Sequence, residues 1–262
     1  GLVGSSIARA IKKYGLCKTV VSCNRSDLIN KKVVELQIVD EASSDAKKIC
    51  KDSDLIIIST PLSSYEEVIL KIKNSLKEGS ILTDVGSVKE NIMGLVEKNL
   101  PENVSWIPSH PIAGTEESGP EAGFGELFQN RWCILTPGTN AKTKDINTLK
   151  TFWEKIGSKV DTMQAEQHDH ILSITSHMPH LIAYNIVNTS LNLQDEKETN
   201  IIKYSAGGLR DFTRIAASNP IMWRDVFIQN KKNTSKMIDK FIKNIEDLKK
   251  AIENEDGAKL EQ

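Results

Sequence analysis

The sequence predicts an α/β protein in two parts, a doubly wound parallel sheet over residues 1–164 and an all-helical domain over residues 165–262. Three observations predict it. Short apolar runs alternate with helical stretches throughout the first part, the pattern of strands joined by crossover helices. One run, Leu55-Ile56-Ile57-Ile58, is apolar without a break, as expected of a strand covered on both faces of a parallel sheet. Strand signals vanish after about Gln164, and helical spacing takes over.

The elements follow in order. Gly1 to Gly4 opens a helix in which Ile7, Ala8 and Ile11 recur at helical spacing. Thr19 to Cys23 reads as a short strand. Leu55 to Ser59 is the next, ended by Thr60-Pro61. Ser80 to Asp84 follows, stopped by Val85-Gly86-Ser87, and then Val104 to Pro108, which runs on to His110. Helices over 65–76 and 88–98 separate these strands. Trp132 to Thr136 and Lys159 to Met163 are expected to extend the sheet. In the second part, residues 165–192 read as one long helix kinked at Pro179. Gly207-Gly208 opens another helix, and Asn219-Pro220 caps the start of a last one over 222–255.

The chain has 262 residues, a formal net charge of −1 and 39% hydrophobic residues, enough for one large or two modest domains. No basic excess points to nucleic acid. The longest apolar stretch, Leu55 to Ile58, is far too short to cross a bilayer, and no signal peptide is read. Cys17, Cys23, Cys50 and Cys133 lack metal-type spacing, so reduced thiols in a cytoplasmic protein are expected.

Four motifs carry chemistry. Gly1 and Gly4 match the back half of a GxGxxG dinucleotide fingerprint, whose glycines let the backbone approach a pyrophosphate at a helix N-terminus. The strand that should precede them is absent, so the chain is expected to be cut at its N-terminus, losing the first strand of a Rossmann-like sheet and the first glycine. After the next strand, where a carboxylate would hold the ribose hydroxyls, stands Asn24-Arg25-Ser26. Arg25 and Ser26 suit a 2′-phosphate that a carboxylate would repel, which leans toward NADP over NAD; an Arg25 stacked on adenine would serve both cofactors.

Asp84-Val85-Gly86-Ser87-Val88-Lys89 follows a buried strand. Ser87 either caps the next helix or orients His110 and a substrate hydroxyl. His110, in Ser109-His110-Pro111-Ile112-Ala113-Gly114-Thr115-Glu116, lies just past the parallel strands, where ligands of such folds bind, and is a candidate proton acceptor. In the second part, His177 and His180 lie three apart around Pro179. With His168 and His170 they suggest a metal, but the spacing is poor for one and none is expected. His177 is the better candidate for a substrate contact, and His180 for a buried, hydrogen-bonded core role. Arg210 and Arg214 share a helix face, and arginine binds carboxylates bidentately.

The segments 109–123, 84–89, 176–187 and 207–225 together resemble the prephenate/arogenate dehydrogenases, oxidoreductases of the tyrosine branch, most nearly the bacterial monofunctional cyclohexadienyl type. The resemblance runs almost end to end. It implies a Rossmann domain and a C-terminal helical dimerisation domain, hence a homodimer. It also implies oxidative decarboxylation of prephenate to 4-hydroxyphenylpyruvate, or of arogenate to tyrosine, with NAD or NADP. By position, His110 matches the family's catalytic histidine, Ser87 its partner serine and Arg214 the arginine for a substrate carboxylate. His177 matches a histidine near the substrate, and Thr115 and Glu116 the end of the motif that lines the cleft. The chain departs from the family in the missing first strand and glycine and in a C-terminus short of the usual final helix. A hydroxyacid dehydrogenase on the same scaffold would call for a lysine base on the helical domain. A silent dinucleotide sensor would have no need of His110, Ser87 and Arg214.

Overall fold

In the computed structural model, residues 1–197 and 201–262 are described, the side chains of residues 194–202 excepted. The chain divides into two compact units. The first comprises Gly1–His168 with Asn219–Asp225, and the second Asp169–Ser218 with Val226–Gln262.

The first unit alternates strand and helix as expected: α1 (Leu2–Tyr14), β1 (Val21–Cys23), α2 (Asp27–Glu35), β2 (Glu41–Ser43), α3 (Ala46–Cys50), β3 (Leu55–Ile58), α4 (Tyr65–Ile72), β4 (Ile81–Asp84) and α5 (Glu90–Glu97). Strands β5 (Ser105–Trp106), β6 (Ser109–Pro111) and β7 (Trp132–Leu135), helix α6 (Thr143–Lys155) and strand β8 (Lys159–Thr162) complete it, with α7 (Ala165–Leu172) leading out. β1 pairs with β2, and β3, β4 and β5 form a second sheet in that order, all parallel. This is the Rossmann-like, doubly wound architecture. Of its two apolar neighbours β3 and β4, β4 is the more buried. All four residues of β4 are buried, whereas Leu55, Ile56 and Ile57 are half-buried. The reason is position, since β4 is hydrogen-bonded on both sides and β3 on one.

The strand expected over 104–108 continues to Pro111 and serves two sheets. Ser105 and Trp106 pair with β4, while Ser109–Pro111 pairs antiparallel with β7, which pairs parallel with β8. Pro108 has no N–H to donate, and the ladder changes partner there. The segments at 132 and 159 therefore build a mixed sheet with β6 and do not extend the parallel one. Beneath lies an apolar core in which Ile107, Phe128, Leu135, Leu149, Trp153 and Ile156 are buried, with Phe128 and Trp153 edge to face at 5.4 Å between ring centroids.

In the second unit the long helix expected over 165–192 is interrupted. A π turn at Ser173–His177 separates α7 from α8 (Met178–Lys197), so the irregularity lies ahead of Pro179 and not at it. Pro179 stands in the first turn of α8, where its missing N–H is tolerated. A short 3₁₀ segment, Ile201–Tyr204, precedes α9 (Gly207–Ala216), which packs along α8. The helix expected over 222–255 is two, α10 (Pro220–Gln229) and α11 (Lys231–Glu253), parted at Asn230 and followed by α12 (Gly257–Leu260). Asn219 caps α10 as expected, its Oδ1 accepting from the backbone N–H groups of Ile221 and Met222 at 3.0 and 3.1 Å.

Candidate active site

Helix α1 has Gly1 as its N-cap. A Cβ on Gly4 would lie 3.1 Å from Ser59 Cβ, so the first turn of α1 comes close to the carboxyl end of β3, which a larger residue would resist. At the end of β1 the Asn24 amide donates to Ser22 Oγ at 3.3 Å and to Asn30 Oδ1 at 3.0 Å. Asn30 returns a bond to the Asn24 carbonyl at 3.1 Å. Asn24 thus shapes the strand end, while Arg25 and Ser26 are exposed beside it and Ser26 caps α2 by accepting from Ile29 N–H. A helix N-terminus opened by Gly1 and Gly4, and a cation and hydroxyl at the end of β1, fit a dinucleotide's pyrophosphate and adenosine ribose.

The loop after β4 is built around a buried ion pair. Lys89 Nζ donates to both Asp84 oxygens, at 2.8 and 2.7 Å, and to the Ser109 carbonyl at 2.7 Å, and neither charged side chain has any exposed surface. Tyr65 Oη and Gly86 N–H each donate to Asp84 Oδ2 at 2.8 Å, and Ser109 N–H donates to Oδ1 at 3.2 Å. Burial, and after it the Asp84 carboxylate, hold the Tyr65 phenol well above its ordinary value, so it stays a donor. Gly86 is required by this packing, since a Cβ there would meet Leu62, Asp84 and Tyr65 atoms at 2.7–2.8 Å. Ser87 lies half-buried on the bend between Gly86 and Lys89. It is not the cap of α5, because that helix starts at Glu90 with Lys89 in the capping position.

His110 lies in β6, opposite Ile134 of β7, and is buried. Its Nδ1 is 2.8 Å from Nε2 of His168, a residue of α7 with no exposed surface. With the proton on His110 Nδ1 donated to His168, the basic nitrogen of His110 is Nε2. The partner was missed in the sequence because it lies 58 residues away, and no local spacing joins the two. Asp84, Lys89 and Tyr65 were also missed. A signal existed for the first two, opposite charges flanking Ser87 in an otherwise apolar stretch. Thr115 and Glu116 are exposed on the connection after β6, where Thr115 Oγ1 accepts from Glu117 N–H at 3.2 Å.

The second unit carries its two histidines where the π turn meets α8. His177 is fully buried at the end of the π turn, with Nδ1 3.1 Å from Asn230 Nδ2, which also donates to the Asp169 carbonyl at 2.8 Å. His180 is half-buried, with Nδ1 2.9 Å from the Ser176 carbonyl, and burial lowers its pKa. Arg210 and Arg214 are exposed on α9, whose Leu209, Phe212 and Ile215 are half-buried. Asp225 Oδ1 accepts from Arg224 Nε and Nη2, at 2.9 and 2.6 Å.

Comparison with known proteins agrees with this geometry. Residues 7–162 match the family description "Prephenate dehydrogenase, nucleotide-binding domain", and residues 164–262 match "Prephenate dehydrogenase, dimerization domain". A cyclohexadienyl dehydrogenase of Zymomonas mobilis is 38% identical over 98% of this chain and 87% of its own length. A prephenate dehydrogenase of Bacillus subtilis is 31% identical over 99% of this chain and 70% of its own. The crystal structure of prephenate dehydrogenase from A. aeolicus, in complex with hydroxyphenyl propionate and NAD+, superposes with a TM-score of 0.91 at 34% identity, covering 97% of this chain and 88% of that one. Both parts of the sequence and the fold they form place this chain in the prephenate dehydrogenase family.

Proposed function

We propose that this protein catalyses the oxidative decarboxylation of prephenate to 4-hydroxyphenylpyruvate, or of arogenate to tyrosine, in tyrosine biosynthesis. The observation that carries the reading is the buried His110, hydrogen-bonded through Nδ1 to His168 at 2.8 Å, which directs Nε2 to serve as a base. A nicotinamide cofactor, held by the glycine turn of α1 and the end of β1, would supply the acceptor for the hydride of substrate C4. His110 Nε2 takes the proton of the C4 hydroxyl, and Ser87 orients that hydroxyl. The ring carboxylate then leaves as CO2, its bonding electrons make the ring aromatic, and the proton held by His110 returns to the phenolate oxygen.

Arg214 is assigned to a substrate carboxylate, and Thr115 and Glu116 to the surroundings of the ring. His177, whose Nδ1 lies 3.1 Å from Asn230 Nδ2, is assigned the second histidine contact to the substrate. Gly1 and Gly4 carry the pyrophosphate, and Asn24 holds the end of β1 where Arg25 and Ser26 meet the adenosine ribose. Their chemistry leans toward NADP, although Asp27 beside the cap tempers the attraction for a 2′-phosphate. Four unpaired thiols fit the reducing cytoplasm. A homodimer is supported by α11, which exposes Phe241, Ile242, Ile245, Leu248 and Ile252 along its length.

The test is absorbance at 340 nm with prephenate and arogenate crossed against NAD and NADP. Reduction is expected in at least one of the four combinations, and His110→Asn should remove most of kcat while leaving KM near normal. No reduction in any, from folded protein, overturns the dehydrogenase reading in favour of a dinucleotide sensor.

A further inference from the structure

Ser109 has every one of its polar atoms tied to the β4–α5 segment. Its N–H donates to Asp84 Oδ1 at 3.2 Å and its carbonyl accepts from Lys89 Nζ at 2.7 Å. Its hydroxyl donates to the Asp84 carbonyl at 2.6 Å and accepts from Thr83 Oγ1 at 3.1 Å. Ser109 directly precedes His110. The same two charges also close the bend that carries Ser87, since Asp84 stands at one end of it and Lys89 at the other. One buried pair therefore fixes the peptide that presents the base and the loop that presents its serine.

Such a pair is a poor device for stability. Desolvating two charges offsets most of their attraction, and replacing a buried pair by uncharged residues of similar volume is often neutral or stabilising. What the pair supplies is direction. The three protons of the Lys89 ammonium meet three acceptors in fixed positions, and the Asp84 carboxylate receives five hydrogen bonds from Tyr65, Gly86, Ser109 and Lys89. Apolar side chains would fill the space without specifying the orientation of the Ser109 peptide.

We infer that Asp84 and Lys89, with Tyr65, are positioning residues for the reaction, acting through Ser109 on His110 and through the 85–88 bend on Ser87. This inference rests on the function proposed above for His110. The double variant Asp84→Asn/Lys89→Met keeps shape and removes both charges. It is expected to melt near the wild-type temperature and to bind NAD or NADP normally. Its kcat should fall roughly 10²-fold, as for a misplaced catalytic group, with KM little changed. In the His110→Asn background the same pair of changes should lower the residual kcat far less, because the part that passes through His110 is already lost and only the part through Ser87 remains. Tyr65→Phe removes one donor and no charge; it should lower kcat several-fold and serves if the double variant does not fold. Folded variants with wild-type kcat, or an equal fold loss with and without His110, overturn the inference. If wild-type protein reduces neither cofactor, the functional reading fails and the clamp is judged by NMR. The His110 ring nitrogen resonances then shift in the double variant if the pair sets the ring, and stay unmoved if it does not.

Discussion

His110 and His168 meet ring nitrogen to ring nitrogen, Nδ1 to Nε2 at 2.8 Å, with the planes inclined at 65°. In the proposed mechanism His110 donates the shared proton from Nδ1 to His168, which leaves Nε2 as its basic nitrogen. Removing the acceptor frees the ring to adopt the other tautomer. His168→Leu should lower kcat roughly 10²-fold, within the range that general-base catalysis supplies. His168→Asn, which can still accept through Oδ1, should retain most of the activity. Steady-state kinetics of the two variants check this, and equal losses would refute the tautomer role.

Arg214 is exposed on α9, and its proposed work is uniform binding of a carboxylate. Arg214→Gln should raise KM by the value of a charge-assisted hydrogen bond, about 1.5–3 kcal/mol or roughly ten- to 150-fold, and change kcat much less. A loss confined to kcat would move Arg214 from binding to the chemical step.

His180 has its pKa lowered by burial below the ordinary 6.5. The unfolded chain therefore takes up a proton on this residue at a higher pH than the folded one. The stability linked to His180 is whole above about 6.5 and is lost as pH falls through the lowered value. Thermal unfolding measured from pH 8 to pH 5 should show a steeper decline for the wild type than for His180→Gln. Parallel curves would contradict the assignment.

The apolar residues exposed along α11 are expected to meet a second copy of the chain. Ile245→Glu with Leu248→Glu should shift the protein from dimer to monomer in sedimentation velocity and leave its circular dichroism unchanged. A wild type that sediments as a monomer at micromolar concentration would dismiss the homodimer.

The first half of the fold was legible because its signals are local. The unbroken Leu55–Ile58 run, the turn after Asp84 and the glycine at position 4 each specify their own conformation. What the sequence hid depends on partners distant in the chain. Pro108 marks a change of sheet only once β4 and β7 are known to flank it. The π turn at Ser173–His177 interrupts a run that reads as one continuous helix, and no residue type in it announces the break. Asn230 breaks a helical pattern because its amide is drawn to His177 and the Asp169 carbonyl, a cause no periodicity reveals. His110 and Ser87 could be picked out as residues of interest, but what holds them could not.

The connection between β6 and β7, residues 112–131, carries Thr115 and Glu116 but contributes none of the bonds described for His110 or Ser109. Those residues are held by β4, β7, α7 and the Asp84–Lys89 pair. The fold thereby separates the bonds that hold His110 from the exposed tip of this connection, while its far end, with Leu127 and Phe128, is anchored in the core. A substitution at Thr115 or Glu116 then alters the surroundings proposed for the substrate ring and leaves the bonds that hold His110 as they are.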